Sequence, residues 1–245
     1  MSCYLDSNIK EECFGCEACM QACPKSAIEM IEDEEGFRYP KINKEKCINC
    51  GLCRKVCSYN HMPDRYKDNK YAFGGYHNNW NVRKESTSGG FFSAIVDNWC
   101  DENYIIFGAA SSGLNVYHTY TDDKSKIDLF RKSKYSQSKI NDSYEKAKEF
   151  LKQGKKVLFS GTPCQIAGLK SYLQGSEQKN LLTVEIVCEG VPSPLYIKKF
   201  ENYLENKYKS KIKNLDYRYT DERKLFGKNA GKWDFEVMHI ELENR

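Results

Sequence analysis

The sequence predicts two parts, a small α+β module at the N-terminus and an α/β domain with a mainly parallel sheet behind it. The first prediction rests on a cysteine-rich segment that occurs twice, at residues 13–24 and 47–58, with a strand hairpin pattern between the copies. The second rests on strand and helix patterns that alternate from residue 71 onward, which favours parallel strands covered by helices. The predicted divisions of the chain are 1–62, 63–150 and 151–245.

Composition is typical of a folded globular protein. Hydrophobic residues make up 40% and charged residues 29% of the 245 residues, as in ordinary domains. No stretch approaches the roughly 18 consecutive apolar residues of a membrane-spanning helix, and the N-terminal segment lacks the apolar core of a signal peptide. We therefore expect a cytoplasmic protein without a membrane span.

Charge is divided unevenly along the chain. Residues 1–62 contain 8 Lys and Arg against 10 Asp and Glu, a net charge of −2, whereas the remainder contains 30 against 24, a net charge of +6. An acidic module suits docking on a basic redox partner protein, and a basic remainder suits ligands that carry phosphate or carboxylate groups. The sequence has neither a dense Lys/Arg run nor a nucleic-acid motif, so no nucleic-acid partner is expected.

Cysteine spacing is the strongest chemical signal among the twelve cysteines of the chain. Each copy reads C-x2-C-x2-C-x3-C, the bacterial ferredoxin spacing in which three cysteines bind one cubane cluster and the fourth binds the other. The pattern therefore predicts an α+β ferredoxin-like module with two 4Fe-4S clusters. The predicted ligands of cluster one are Cys13, Cys16, Cys19 and Cys57, and those of cluster two are Cys47, Cys50, Cys53 and Cys23.

Two other uses of these cysteines fit the spacing less well. Zinc sites favour two C-x2-C pairs separated by a longer loop, and disulfides belong to oxidising compartments that a chain without a signal peptide does not reach. One position departs from the ferredoxin pattern, because Ser58 follows Cys57 where Pro24 follows Cys23 in the other copy. This departure leaves the number of ligands unchanged.

The elements of the chain are predicted in order from turn signals and hydrophobic periodicity. Residues 28–42 predict a hairpin around the turn Asp33–Gly36, and the polar segment 61–70 predicts a linker. Further strands are predicted at 71–76, 104–110, 116–121, 181–190 and 233–242. Helices are predicted at 88–102 with Ser88 as N-cap, at 141–154 and at 193–208, and segment 155–173 predicts a strand, a tight turn and a helix.

Two glycine-containing turns are candidate ligand sites. Ser88, Gly89 and Gly90 precede a helix, where free N–H groups bind phosphate, although the same residues also suit an ordinary helix start. The segment from Ser160 to Gln165 follows a buried strand, where ligands bind in open α/β sheets, although it also suits a plain strand-to-helix turn. The residues alone leave both choices open.

Cys164 and Cys188 each follow a predicted buried strand. Parallel strands end at the same edge of a sheet, so these two cysteines are expected to lie near each other, which would allow them to share a metal ion or cluster. The alternative is that they are inert core thiols, which is the interpretation that we give to Cys100 on its apolar helix. Cys3 lies outside both motifs and its role is not predicted.

Four segments behind the cysteine module resemble the coenzyme F-420 hydrogenase/dehydrogenase beta subunit family, namely 87–95, 133–138, 159–173 and 187–194. The resemblance implies an enzyme, an iron–sulfur flavoprotein oxidoreductase subunit that passes electrons between its clusters and FAD. A two-electron substrate, such as the deazaflavin coenzyme F-420 or a polysaccharide-pathway intermediate, and a redox partner protein are also implied. A non-enzymatic ferredoxin-like electron-transfer partner is the alternative.

The resemblance also implies roles for particular residues around the flavin. Its phosphates are expected at Ser88, Gly89 and Gly90, and Lys134 and Tyr135 are expected to line the flavin. The loop beside the ring is expected to contain Gly161, Thr162, Pro163 and Gln165. Cys164 and Cys188 are expected to ligate a third 4Fe-4S cluster together with a C-x-x-C pair found further along in such proteins. That pair is missing from the 245 residues, so a C-terminal truncation is expected. No catalytic residue is predicted.

Overall fold

The computed structural model describes residues 3–61, 71–175, 178–219 and 238–244 of the chain. Its N-terminal module contains the short helices and the strand pair α1 (Tyr4–Ser7), α2 (Ala18–Gln21), β1 (Ile28–Glu32), β2 (Arg38–Ile42) and α3 (Leu52–Lys55). The strands pair antiparallel, and the Asp33 side chain accepts hydrogen bonds from the N–H groups of Glu35 and Phe37 across the turn. The predicted hairpin is confirmed, whereas the predicted linker lies, apart from His61, outside the described residues.

A four-stranded sheet forms the centre of the second part of the chain. Its strands are β3 (Tyr104–Ser112), β4 (Asn115–Thr121), β5 (Lys156–Gly161) and β6 (Leu181–Glu185), in the order β4-β3-β5-β6. The β3–β5 and β5–β6 pairs are parallel, whereas β3 and β4 form an antiparallel hairpin. The sheet is therefore mixed and mostly parallel, and it takes strands from both sides of residue 150, where the sequence predicts a division.

Helices cover the sheet, and a small second sheet follows it. The helices are α4 (Trp80–Lys84), α5 (Phe91–Trp99), α6 (Ser143–Lys152), α7 (Pro163–Leu173) and α8 (Pro194–Tyr208), and the second sheet is the antiparallel pair β7 (Ile212–Asp216) and β8 (His239–Leu242). The predicted α/β elements from 91 to 208 are thus largely confirmed. The remainder of the strand predicted at 233–242 lies outside the described residues.

Alternating side chains of the central strands fill two cores, as the twofold period of a strand requires. Ile105 and Phe107 of β3 point into the core beneath α6 and α7. Ile106, between them, points to the opposite core with Val96 and Cys100 of α5. The prediction that Cys100 is a core thiol is confirmed by its complete burial.

Three sequence predictions are wrong in detail. Residues 71–76 form no strand; their aromatic side chains stay exposed, 83% for Phe73, so no burial favours pairing with the sheet. Ser88 does not cap α5, which begins at Phe91 after Gly90, because Gly90 takes the left-handed conformation (φ 77°) that turns the chain into the helix. Finally, β6 ends at Glu185 and its side chains are only half-buried, since it pairs with β5 alone among the described strands.

The module and the α/β domain share one hydrophobic core. Ala18 of α2 and Val56, both fully buried, belong to the same cluster as Tyr144 of α6 and Ile166 of α7. The Gln21 side chain also accepts hydrogen bonds from the N–H groups of Tyr144 (3.0 Å) and Glu145 (3.3 Å), which are free donors in the first turn of α6. Apolar burial and helix capping therefore hold the module against α6 and α7.

Glu17 adds a buried ionic link at the same interface. Its side chain is 1% exposed, forms an ion pair with Arg38 of β2, and accepts a hydrogen bond from the Asn141 N–H group (3.2 Å). A buried carboxylate with both a cation and a backbone donor satisfies the requirement that buried charges be paired. Glu17 thus connects the hairpin of the module to the start of α6.

None of the helices in the part of the chain that the structure describes is long and apolar enough to cross a membrane.

Substitution Gly168→Ala is expected to destabilise the protein. A methyl group at this position in α7 would lie 2.8 Å from the Tyr144 hydroxyl and 3.2 Å from the Cys16 sulfur. Overpacking of this kind costs about 1–3 kcal/mol, which lowers Tm by roughly 2–10 °C in a chain of this size. Anaerobic thermal unfolding followed by circular dichroism measures the change. Gly74→Ala is the control, because its methyl group would meet no atom within 4 Å, and equal Tm values for both variants would contradict the packing argument.

Candidate iron–sulfur and cofactor site

Four of the predicted ligands line one cavity in the N-terminal module. This first cavity has about 400 Å³ of empty space and is bounded by α1, the start of α2 and the 57–59 turn. Its cysteines are Cys13, Cys16, Cys19, Cys57 and Cys3. The fourth cysteine of the second motif therefore lies with the first three of the first motif.

The remaining four predicted ligands line a second cavity. It has about 380 Å³ of empty space, and its cysteines are Cys47, Cys50, Cys53 and Cys23. The distribution of the eight cysteines over the two cavities follows the crossed pattern of two-cluster ferredoxins. Which sulfur binds which cluster stays a prediction.

Backbone conformation explains how both motifs wrap a cavity. Gly15 and Glu17 of the first motif have positive φ angles of 63° and 62°, and Asn49 and Gly51, the equivalent positions 34 residues later, have 54° and 75°. Left-handed residues turn the chain sharply and direct successive N–H groups toward one side. The Gly15 N–H lies 3.4 Å from the Cys13 sulfur, as expected for a donor that stabilises a thiolate.

All twelve cysteines of the chain are free. Among the described residues, no three His, Cys, Asp or Glu side chains are arranged as ligands of a single metal ion. Cubane ligands differ from these, because each thiolate binds a different iron at one corner of the cluster.

Burial controls the protonation of the thiols in the first cavity. It raises the pKa of Cys13 to about 12 and raises the pKa of Cys16 and Cys19 as well. A buried thiolate is costly without a cation beside it. Binding of iron to these sulfurs is therefore expected to release protons.

Cys3 is a fifth cysteine of the first cavity that the sequence does not predict. Its side chain is 1% exposed, and burial raises its pKa to about 11, with a smaller contribution from the neighbouring Cys57. No spacing rule points to Cys3, because it precedes the first motif and reaches the cavity only through the fold of α1.

The segment from Gly161 to Gln165 connects β5 to α7 directly beside the first cavity. Pro163 is the first residue of α7, and the Gln165 side chain accepts a hydrogen bond from the Thr162 N–H group (3.0 Å), which closes a capping box. One turn further along α7, Gly168 lies against Cys16. Through Cys16, the first cavity is thus in contact with α7 of the α/β domain.

His118 of β4 completes a buried hydrogen-bond network at this turn. Its Nε2 lies 3.0 Å from the Ser160 carbonyl, which only accepts, so Nε2 carries the proton and Nδ1 accepts from the Ser138 hydroxyl (2.9 Å). The Ser138 oxygen in turn accepts from Nε2 of Gln165 (2.8 Å). Burial lowers the pKa of His118 to about 4, so the ring is neutral at physiological pH. The sequence gives no signal for His118, since its two partners, Ser138 and Ser160, come from distant segments.

Lys134 and Tyr135, predicted at the flavin, lie on the loop that leads to Ser138. Lys134 donates to the Arg131 carbonyl (2.7 Å), and burial lowers the pKa of its ammonium to about 8. Tyr135 is 45% exposed and its ring meets that of Tyr217 edge-on at 5.4 Å. The Ser133 N–H group of this loop donates to the Thr87 hydroxyl (3.1 Å).

Ser88, Gly89 and Gly90 therefore adjoin the same loop through Thr87. Gly89 has no space for a side chain, because a methyl group there would lie 2.8 Å from the Gly75 carbonyl oxygen. The predicted cofactor segments, 88–90, 134–135 and 161–165, are thus connected through the Thr87–Ser133 and Ser138–Gln165 hydrogen bonds. Their contact with a flavin stays a prediction.

Cys164 is the second residue of α7, and Cys188 lies three residues beyond the end of β6. Burial raises the pKa of Cys164, and the Cys188 sulfur contributes to the same shift. Cys164 is half-buried with its sulfur 3.1 Å from the Thr162 hydroxyl, whereas Cys188 is exposed. Cys164 also lies close enough to Cys16 to influence its pKa. Whether Cys164 and Cys188 bind a third cluster stays a prediction.

Fold and cavities together define the class of this chain, a two-cluster cysteine module joined to an α/β domain. Residues 12–61 match the 4Fe-4S dicluster domain family, and residues 154–243 match the C terminus of the coenzyme F420 hydrogenase/dehydrogenase beta subunit. These matches confirm the family resemblance, and the chain carries both of these family regions. Segments 87–95 and 133–138 lie outside the two matched ranges.

The curated relatives below each match about a fifth of this chain. An uncharacterized polyferredoxin-like protein of Methanocaldococcus jannaschii is 44% identical over 57 residues, which covers 20% of this chain and 34% of that protein. The ketoisovalerate oxidoreductase subunit VorC of Methanothermobacter marburgensis is 38% identical over 48 residues, 19% of this chain and 61% of that subunit. The matches thus span between about one third and two thirds of the relatives' length.

The neutral state of His118 predicts a loss of stability in mild acid. The pKa is lowered from 6.5 to about 4, so between these values the unfolded chain takes up a proton that the folded chain excludes. The stabilisation is complete above pH 6.5 and is lost as the pH falls toward 4, by about 2 kcal/mol between pH 7 and pH 5. Tm values of His118→Gln should therefore depend less on pH over this range than those of the unmodified protein. The control is His239→Gln, at an exposed position, whose Tm should depend on pH as that of the unmodified protein does. The assignment would be refuted if the Tm of His118→Gln showed this same pH dependence.

Proposed function

We propose that this chain is an electron-transfer subunit of an iron–sulfur flavoprotein oxidoreductase. The observation that supports this most directly is the contact between the first cavity and the α/β domain. Cys16, a predicted ligand of cluster one, lies against Gly168 of α7 and next to Cys164, beside the turn that carries the predicted cofactor residues. A redox centre in the first cavity would therefore adjoin the second half of the chain without intervening solvent.

The donor sets of both cavities fit cubane clusters. Each cavity presents four cysteines from both motifs, with backbone N–H groups directed at their sulfurs, such as the Ala27 N–H group 3.2 Å from the Cys23 sulfur. Cluster one would be held by Cys13, Cys16, Cys19 and Cys57, and cluster two by Cys47, Cys50, Cys53 and Cys23. Clusters bound there would supply one-electron transfer.

The residues of the chain have three tasks in this function. The cysteines hold the clusters as thiolates, and the surrounding N–H groups stabilise their negative charge. The shared core of α2, α6 and α7 excludes water between the first cavity and the start of α7. The neutral His118, Ser138 and Gln165 network holds the turn after β5 in one conformation without adding a buried charge.

The finer part of the proposal is a flavin, FAD, at the edge of the sheet. Lys134 offers a half-buried ammonium to a phosphate or to a reduced ring, Tyr135 offers an exposed aromatic face, and the N–H groups at Ser88–Gly90 precede α5. Gly161, Thr162, Pro163 and Gln165 would lie beside the ring. A flavin exchanges both single electrons and pairs, so it would connect the clusters to a two-electron substrate such as a deazaflavin or a polysaccharide-pathway intermediate.

Iron analysis of paired cysteine variants tests the cluster assignment. Anaerobically purified protein should contain about eight iron and eight sulfide per chain, and Cys23→Ser about four of each. Since Cys23 and Cys47 belong to the same predicted cluster, the double variant Cys23→Ser/Cys47→Ser should also retain about four iron, whereas Cys57→Ser/Cys47→Ser should retain almost none. Cys100→Ala, in the apolar core, should keep the full content.

The contrary results are equally specific. If Cys23→Ser/Cys47→Ser lost both clusters and Cys23→Ser/Cys13→Ser kept one, each motif would bind its own cluster and the crossed assignment would be wrong. Zinc in place of iron, without visible charge-transfer absorption, would refute the electron-transfer function itself.

Flavin binding separates the enzyme from a simple electron carrier. We expect the cluster-loaded chain to bind FAD and quench its fluorescence, and Lys134→Gln to weaken this binding by roughly tenfold through loss of a charge-assisted contact. Lys126→Gln, an exposed lysine of the same domain, is the control. If the chain with intact clusters binds neither FAD nor FMN, the alternative function as a non-enzymatic electron-transfer partner is favoured.

A further inference from the structure

The two cavities differ in their access to the surface. In the first, all four predicted ligand cysteines are at least partly buried, and the side chain of Cys16 packs against Gly168 of α7. In the second, Cys50 is exposed and the neighbouring Ile48 is 57% exposed. A protein that exchanges electrons with the module therefore has its shortest approach at the second cavity.

Charge within the module is separated in a way that its net value conceals. Residues 28–40 contain one Arg against five Asp and Glu, a net charge of −4, whereas residues 41–55 contain five Lys and Arg against the single Glu45, a net charge of +4. Lys25 adds to the second group, because it lines the second cavity directly. The sequence count of −2 for the module favours a basic partner, but the end of the module that reaches the surface is basic.

We define the cluster-two face as five exposed residues. Lys25 and Ile48 line the second cavity, and Lys44, Lys46 and Lys55 lie within two residues in the sequence of residues that line it. Arg54 is adjacent, but Asp6 binds it at 2.6 Å. Within the described part of the chain, the four lysines of the face form no ion pair, so their positive potential is not cancelled locally. The exposed Glu45 stands between Lys44 and Lys46, so the charges near Ile48 are mainly but not entirely positive. An exposed apolar residue among charges mostly of one sign is typical of surfaces that bind transient partners.

We propose that the cluster-two face docks an acidic electron-transfer protein, one that carries carboxylates around its own redox centre. This inference rests on the proposed function, because it places cluster two in the second cavity. The lysines would steer the partner and Ile48 would contact it at the centre of a small, transient interface. In the transfer step the partner is oxidised by one electron and the module is reduced by one, and no bond or proton is exchanged.

Binding to an acidic two-cluster bacterial ferredoxin tests the face. The anaerobically purified chain is titrated with the oxidised ferredoxin by calorimetry, and its reduction by the reduced ferredoxin is followed by stopped flow, both at about 20 and 300 mM salt. Affinity and second-order rate should fall at least tenfold between these salt concentrations. The variant Lys25→Gln/Lys44→Gln/Lys46→Gln/Lys55→Gln should show a low affinity and a low second-order rate at both salt concentrations. Lys152→Gln/Lys198→Gln/Lys199→Gln/Lys209→Gln, with the same charge change on exposed residues of the other domain, should behave as the unmodified chain.

The outcomes distinguish this inference from the function on which it rests. If the face variant and the control variant lose affinity equally, or if Ile48→Ser leaves both affinity and rate unchanged, the docking assignment is overturned. Loss of binding to phosphatidylserine vesicles by the face variant, with ferredoxin binding intact, would assign the face to a membrane instead and would also overturn it. Absence of iron from the unmodified chain would refute the cluster assignment, whereas calorimetry would still decide the docking.

Discussion

The contact between Cys16 and Gly168 is the constraint on which the rest of the structure depends. Position 168 has no space for a side chain, because the Cys16 sulfur and the Tyr144 hydroxyl already occupy it. This close approach allows the module to share a hydrophobic core with α6 and α7, so that it packs directly against the α/β domain. The predicted cluster-one ligands therefore lie beside the turn that follows β5, and the two halves of the chain form one electron-transfer unit in our proposal.

Polar interactions around this contact are arranged so that few charges are buried. Glu17 is the buried exception, and it is paired with Arg38 and with a backbone donor. At the turn that follows β5, the neutral side chains of His118, Ser138 and Gln165 form a chain of hydrogen bonds. Gln165 donates to Ser138, and Ser138 donates to His118. These neutral groups therefore add no buried charge at the turn that follows β5.

The two ends of the module have different environments. One end is enclosed by the α/β domain, and the other presents exposed lysines and Ile48 to solvent. A direction of transfer follows from this asymmetry in our proposal, from a docked partner through cluster two and cluster one to the α/β domain. The same asymmetry explains why the net charge of a segment is a poor guide to its partner, since opposite charges of the hairpin and the 41–55 segment largely cancel in the sum.

Local pattern was sufficient for much of this protein. Spacing alone predicted the crossed cysteine sets, because a cubane imposes a fixed short-range geometry on its ligands, and periodicity predicted the hairpin, the helices and most of the central strands. It failed where the tertiary structure decides: at 71–76, whose aromatic residues find no strand to pair with; at Ser88, where Gly90 turns the chain into α5; and at 186–190, which do not continue β6. The sequence could not show Cys3 in the first cavity, His118 at the turn or the position of the exposed lysines beside the second cavity. Each of these depends on contacts between segments distant in the chain, and only folding brings such segments together.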